Sequence, residues 1–131
     1  MHIFARTAAA LVLVGATAAL SAPAGSLGVL SSLQSGRWIV TPRDGGPARA
    51  LCLGDPAQLV QLRHPGQACN RYVVETAPDR TTVQYTCRGG GFGRTSIRRE
   101  TRELVQIESQ GALAGRPFQF TAEARHAGRC R

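Results

Sequence analysis

The sequence contains no lysine, so all 16 of its basic residues are arginines. It also has no Cys-x-x-Cys pair, no Gly-x-Ser-x-Gly elbow, no internal repeat and no heptad pattern. Each absence removes a class of chemistry. The glycine run CRGGGFGR (87–94) lacks the Lys-Ser or Lys-Thr of a phosphate loop, and a strand-like segment follows it, so it reads as a wide hairpin turn. Cysteines at 52, 69, 87 and 130 are spread too widely for a zinc knuckle, and the missing Cys-x-x-Cys pair excludes a thioredoxin-like redox site. Beyond His2, the histidines are His64 and His126. Neither lies in a motif that supplies a nucleophile and an orienting carboxylate. Glu100 and Glu103 flank a predicted turn, where solvated carboxylates are ordinary. The expectation is a non-enzymatic protein with no catalytic residue, no metal site and no cofactor.

Long apolar runs are missing as well. A membrane span needs about 20 consecutive apolar residues, and the longest run here extends only from roughly Ala8 to Leu20. It follows Arg6, the one charged side chain before Arg37, and it precedes the small-residue triplets Ala19-Leu20-Ser21 and Ala22-Pro23-Ala24. A basic start, an apolar middle and a small-residue exit make a secretory signal. Residues 1–24 are therefore expected to be a removable leader, and the product periplasmic or extracellular. No cysteine lies near the cleavage site, which argues against a lipid anchor. Residues 25–36, GSLGVLSSLQSG, mix small, polar and aliphatic residues without a period and are expected to form a flexible lead-in. Residues 37–131 are long enough for one domain with a single core.

The formal net charge is +8. Such a surface attracts nucleic acid, anionic lipid or acidic polysaccharide. The arginines are scattered through turns and strands, however, and only Arg98 and Arg99 are adjacent. That lacks the clustered stripe of a nucleic-acid site. An anionic envelope component is the electrostatic partner expected here, and nucleic acid is not.

What the sequence does have is a recurring unit, a short alternating run followed by a turn cluster. The runs are RWIVT (37–41), ARALCL (48–53), RYVVET (71–76), TTVQYTC (81–87), RTSIRRET (94–101), LVQIES (104–109) and FQFTAEARHAGRC (118–130). Alternation is clearest where Val83, Tyr85 and Cys87 oppose Thr82, Gln84 and Thr86. It is equally clear where Phe118, Phe120, Ala122 and Ala124 oppose Gln119, Thr121, Glu123 and Arg125. Successive strand side chains point to opposite faces, so these runs predict an all-β fold, mainly an antiparallel sheet arranged as a barrel- or sandwich-like meander. The run 94–101 has one large apolar residue, Ile97, and is expected to be an edge strand or one with both faces partly wet.

One short helix interrupts the strands. Asp55 is a natural N-cap, Pro56 suits the first helical position and Gln58 stands three residues beyond Asp55. Leu59 and Leu62 share a face, and Pro65-Gly66 stops the helix after about two turns. In an exported chain, four cysteines read as two disulfides. Strand parity puts Cys87 on the face of Val83 and Tyr85, and Cys130 on the face of Phe120, Ala122 and Ala124 if no bulge follows Arg125. Cys52 and Cys69 lie at the two ends of the helical excursion. The expected pairs are Cys52–Cys69 and Cys87–Cys130.

Taken together, SGRWIV, LCLGDP, the cysteine before RYVVE, VQYTCRGGG, LVQIESQG and GRPFQFTAEARHAGRC resemble the small exported bacterial proteins grouped as domain of unknown function 3617. The resemblance covers roughly residues 35–131. Its carriers are Gly36-x-Trp38, the four cysteines and Gly115-x-Pro117-Phe118. It implies a periplasmic, β-rich, disulfide-bonded domain and brings no reaction, ligand or catalytic residue. The functional expectation is a non-enzymatic binding or envelope-associated domain. The alternatives are a small barrel holding an apolar ligand and an interaction module that docks on, or inhibits, a secreted partner. With four Phe, one Trp and two Tyr, the composition fits a filled interior and a partly hollow one equally well.

Overall fold

The computed structural model describes residues 28–131, so the expected leader and residues 25–27 lie outside the described residues. Seven strands form one antiparallel sheet: β1 (Gly36–Pro42), β2 (Arg49–Leu53), β3 (Cys69–Thr76), β4 (Arg80–Cys87), β5 (Phe92–Thr101), β6 (Leu104–Leu113) and β7 (Arg116–His126). Their order is β2-β1-β7-β6-β5-β4-β3. From β3 to β7 the sheet is a meander, and the β1–β2 hairpin joins it by pairing β1 with β7. The all-β class, the antiparallel pairing and the two disulfides follow the sequence pattern.

Alternation sorts the side chains. Trp38, Val40, Leu53, Val83, Tyr85, Ile97, Val105, Ile107, Ala122 and Ala124 line one buried face. Gln84, Arg94, Glu108, Gln110, Gln119 and Thr121 stand exposed on the other. The inner face is covered by the segment that leaves β2 at one edge of the sheet and enters β3 at the other. It carries Leu59, Val60 and His64, all fully buried. Its helix is a 3-10 helix, η2 (Pro56–Gln61), rather than two α-helical turns. Asp55 caps it as expected, its Oδ1 accepting from Ala57 N at 2.9 Å, and Pro56 takes the first helical position. The tighter i→i+3 winding suits a six-residue piece buried on several sides.

Three sequence expectations are corrected. First, the lead-in is ordered from Gly28. A 3-10 helix, η1 (Gly28–Ser32), places Val29 and Leu30 in the core, and Leu33 joins them. The backbone N–H of Val29 donates to Thr81 Oγ1 at 2.9 Å. Second, β5 is an interior strand between β4 and β6. Its inward positions are Gly93, Thr95 and Ile97, all buried. Two of these are not large apolar residues, so the burial of that face is invisible to an apolar count.

Third, the disulfides are Cys52–Cys130 and Cys69–Cys87, not Cys52–Cys69 and Cys87–Cys130. Cys87 does point inward as parity requires, but Cys69 stands directly opposite it on β3, with Cα atoms 3.9 Å apart. Arg88 N donates to Ala68 O, which makes Cys69 and Cys87 a non-hydrogen-bonded pair, the closer of the two antiparallel pair types. Cys52 stands between Leu51 and Leu53 on β2, opposite Arg37, so its side chain is on the outer face of the sheet while Cys87, the partner of Cys69, points inward. Cys130 is not on β7. That strand ends at His126, Gly128 adopts φ +95°, and the tail runs over β1 to reach Cys52. The crossing is fixed by Arg37 N donating to Gly128 O and Ala127 N donating to Arg37 O.

Candidate functional site

Although β2 and β3 are opposite edges, they face one cleft. Leu51 and Leu53 from β2 and Arg71 from β3 line the same space of about 640 Å³. The sheet therefore curls until its edges approach, and the η2 segment fills most of the interior between them. What remains open is a seam. Its floor is apolar: Val40, Leu51, Leu53, Leu62, Phe120 and Ala122. Leu51, Leu62 and Phe120 are only partly buried and pack against the core from its rim. The mouth carries Arg49, Arg63 and Arg71, with the carboxylates of Asp44 and, beside Arg71, Asp55.

Each element of the mouth is positioned. Arg71 donates to Gln61 Oε1 through Nη2 at 2.8 Å and Nε at 3.2 Å, with Asp55 4.0 Å away. Gln61 in turn donates to the carbonyls of His64 and Gln67, both at 3.0 Å, which ties the loop after η2 to β3. The Arg63 guanidinium lies 4.9 Å over the Phe120 ring, a cation–π placement. Asp44 Oδ1 accepts from Gly46 N, so it serves the β1–β2 turn. The result is an apolar trough with a net positive rim, the complement of a molecule with an apolar body and an anionic end.

Behind the trough is a buried polar cluster. His64 Nε2 is 3.0 Å from the Ala112 carbonyl and Nδ1 is 2.9 Å from the Tyr85 hydroxyl. A carbonyl only accepts, so in the neutral ring the proton sits on Nε2 and Nδ1 accepts from Tyr85 O–H. Burial pushes the Tyr85 hydroxyl above its ordinary value. Glycines make the space: a Cβ on Gly91 would lie 2.3 Å from His64 Nε2, and one on Gly93 2.5 Å from the Tyr85 oxygen. Thr95 adds a second buried tie, donating to Val60 O at 2.6 Å and meeting Ser109 Oγ at 2.7 Å. Among the described residues, no carboxylate hydrogen-bonds to His64 or Tyr85. His64 thus holds the plug to the sheet.

His126 is far from His64 in role. Its ring packs edge-on to Trp38, with centroids 5.5 Å apart, and its Nε2 bonds Ser35 O. Glu100 accepts from Arg98 and Gln106 near the β5–β6 turn. Among the described residues, no group of three or more His, Cys, Asp or Glu is placed to hold a metal, and no helix is long and apolar enough to cross a membrane. Sequence reasoning did not identify the trough. Its residues come from five separate segments, and only the alternation in β2 and β7 hinted at which side chains face it.

Comparison of the chain with family models, with curated proteins and with solved structures finds no match to any of them.

Proposed function

We propose that this chain is an exported, non-catalytic binding domain, a member of the exported family its sequence resembles, and that its cleft takes an amphipathic anion. The observation that carries the reading is the pairing of an apolar floor with three arginines at the mouth of one space. The volume, about 640 Å³, falls in the range of small-molecule sites. Leu51, Leu62 and Phe120 would cover the apolar body, and Arg49 and Arg63 the charged end. Export is supported by the leader-like start and by the two disulfides, which persist in oxidising compartments.

Titration with dodecanoate and with dodecanol tests the cleft. Saturable binding of dodecanoate, weaker binding of the alcohol and loss of both in Leu62→Glu are expected. Equal affinity for the two ligands, or binding indifferent to Leu62→Glu, would remove the assignment. N-terminal sequencing of protein from cell fractions tests export. The processed chain is expected to start near Ala22 or Gly25, and full-length chain in the cytoplasmic fraction would contradict it.

A further inference from the structure

We infer that the outer face of the sheet binds a linear, uncharged polysaccharide laid across strands β3 to β7. The register places Tyr72, Gln84, Arg94, Gln110 and Gln119 side by side on five successive strands. All five side chains are exposed. Among the described residues, no hydrogen bond or ion pair engages the side chains of Gln84, Arg94, Gln110 or Gln119. Two residues along β5 from Arg94, Phe92 stands on the same face and is 50% exposed, while Tyr72 at the end of the row is 62% exposed. The row borders a hollow of about 580 Å³ that Phe92 and Pro117 flank.

The side-chain chemistry selects the ligand. A glutamine amide offers donors and an acceptor together, and a sugar hydroxyl does the same. An anion would leave the amide oxygens of three glutamines without donors, and a cation would oppose Arg94. Charge balance agrees: Glu75 and Glu108 in the neighbouring row offset Arg80 and Arg94 around the adjoining hollow. The two exposed aromatics supply what a hydroxylated chain also needs, flat apolar faces for the C–H side of a pyranose ring, with edges left wet. Spacing completes the match. Strands are about 4.8 Å apart, and each ring of an extended polysaccharide advances by about the same distance, so successive sugars meet successive strands.

This site lies on the opposite face of the sheet from the cleft, and the inference stands without it. The test is retention of the purified chain on immobilised β-glucan, xylan, mannan and chitin, with galacturonan as the acidic comparison. Retention on at least one neutral polymer is expected, unchanged in 1 M NaCl and displaced by its soluble oligosaccharide. Phe92→Ala and Tyr72→Ala are each expected to weaken it about tenfold, in line with a lost aromatic contact. Arg102→Gln, in the distant β5–β6 turn, is expected to leave it unchanged. Both aromatic positions are solvent-exposed, and an unaltered melting temperature shows that each variant is folded. Retention on none of the neutral polymers overturns the inference. So does retention insensitive to Phe92→Ala, and so does salt-sensitive retention on galacturonan alone. Dodecanoate binding is unaffected by either aromatic variant, so the two sites fail separately.

Discussion

The Tyr85 hydroxyl lies 2.9 Å from Nδ1 of His64, and both side chains are fully buried. One residue comes from β4 and the other from the segment that crosses the sheet, so the contact pins the plug in place. His64→Ala leaves a cavity and strips partners from the Tyr85 hydroxyl and the Ala112 carbonyl. A loss of about 3 kcal/mol is expected from cavity and unsatisfied-group costs together, read by urea unfolding. Gly91→Ala is expected to destabilise through the same ring, because its Cβ would fall 2.3 Å from Nε2.

Alkaline pH is expected to act through Tyr85. Burial raises its folded-state pKa above the ordinary phenol value of about 10. The folded state therefore binds the phenolic proton more tightly than the unfolded state does. The associated stability is complete below about pH 10 and is lost as pH rises toward the folded pKa. Melting temperatures measured from pH 8 to 12 are expected to fall more steeply for the wild type than for Tyr85→Phe. Parallel curves would show that this hydroxyl does not control the alkaline limb.

Non-reducing peptide mapping is expected to recover Cys52 linked to Cys130 and Cys69 linked to Cys87. The loops they close differ in length, with sequence separations of 78 and 18. Chain entropy assigns about 4.5 kcal/mol to the longer and about 3 kcal/mol to the shorter. Denaturant unfolding of the two double Cys→Ser variants is expected to rank them in that order.

Gly36 is expected to resist substitution. Its φ is +134°, and a Cβ there would lie 2.4 Å from Gly128 O. Gly36→Ala therefore strains the backbone and pushes away the tail that carries Cys130. A cost of about 2 kcal/mol or more is expected by thermal unfolding, consistent with strain at a left-handed position plus a displaced contact. Gly45→Ala, which also sits at positive φ but in open space, is expected to cost less.

The strands were readable because period-2 alternation states a burial pattern directly. Val83, Tyr85 and Cys87 face inward as their spacing demands, and so do Ala122 and Ala124. The cysteine pairing was not recovered, although part of it was within reach. The β3–β4 hairpin turns around Ala77–Arg80, which alone sets Cys69 within one residue of Cys87. A bulge between Val73 and Glu75 supplies the remaining shift and makes the two cysteines partners. A bulge has no reliable sequence signal, and neither does the turn at Gly128 that carries Cys130 away from β7. η1 was missed because five residues are too few for a period. The cleft escaped because five distant segments build it. Gly91 and Gly93 were legible only as turn residues, whereas their missing side chains are what admit His64 and Tyr85.

The pairing of β1 with β7 also sets an order of events. Strands β3 to β6 find their neighbours within a short stretch of chain and can assemble with one another first. The β1–β2 hairpin is made first but has no sheet to join until β7 exists. During that interval Trp38, Val40, Leu51 and Leu53 have no core to enter, and the hairpin alone is marginal. Closure must then bring together strands at opposite ends of the described chain, the kind of non-local step that slows β proteins to milliseconds or seconds. Newly made chain is thus most exposed to aggregation before β7 docks, and a chaperone that shields the first hairpin would raise yield more than one acting on the meander.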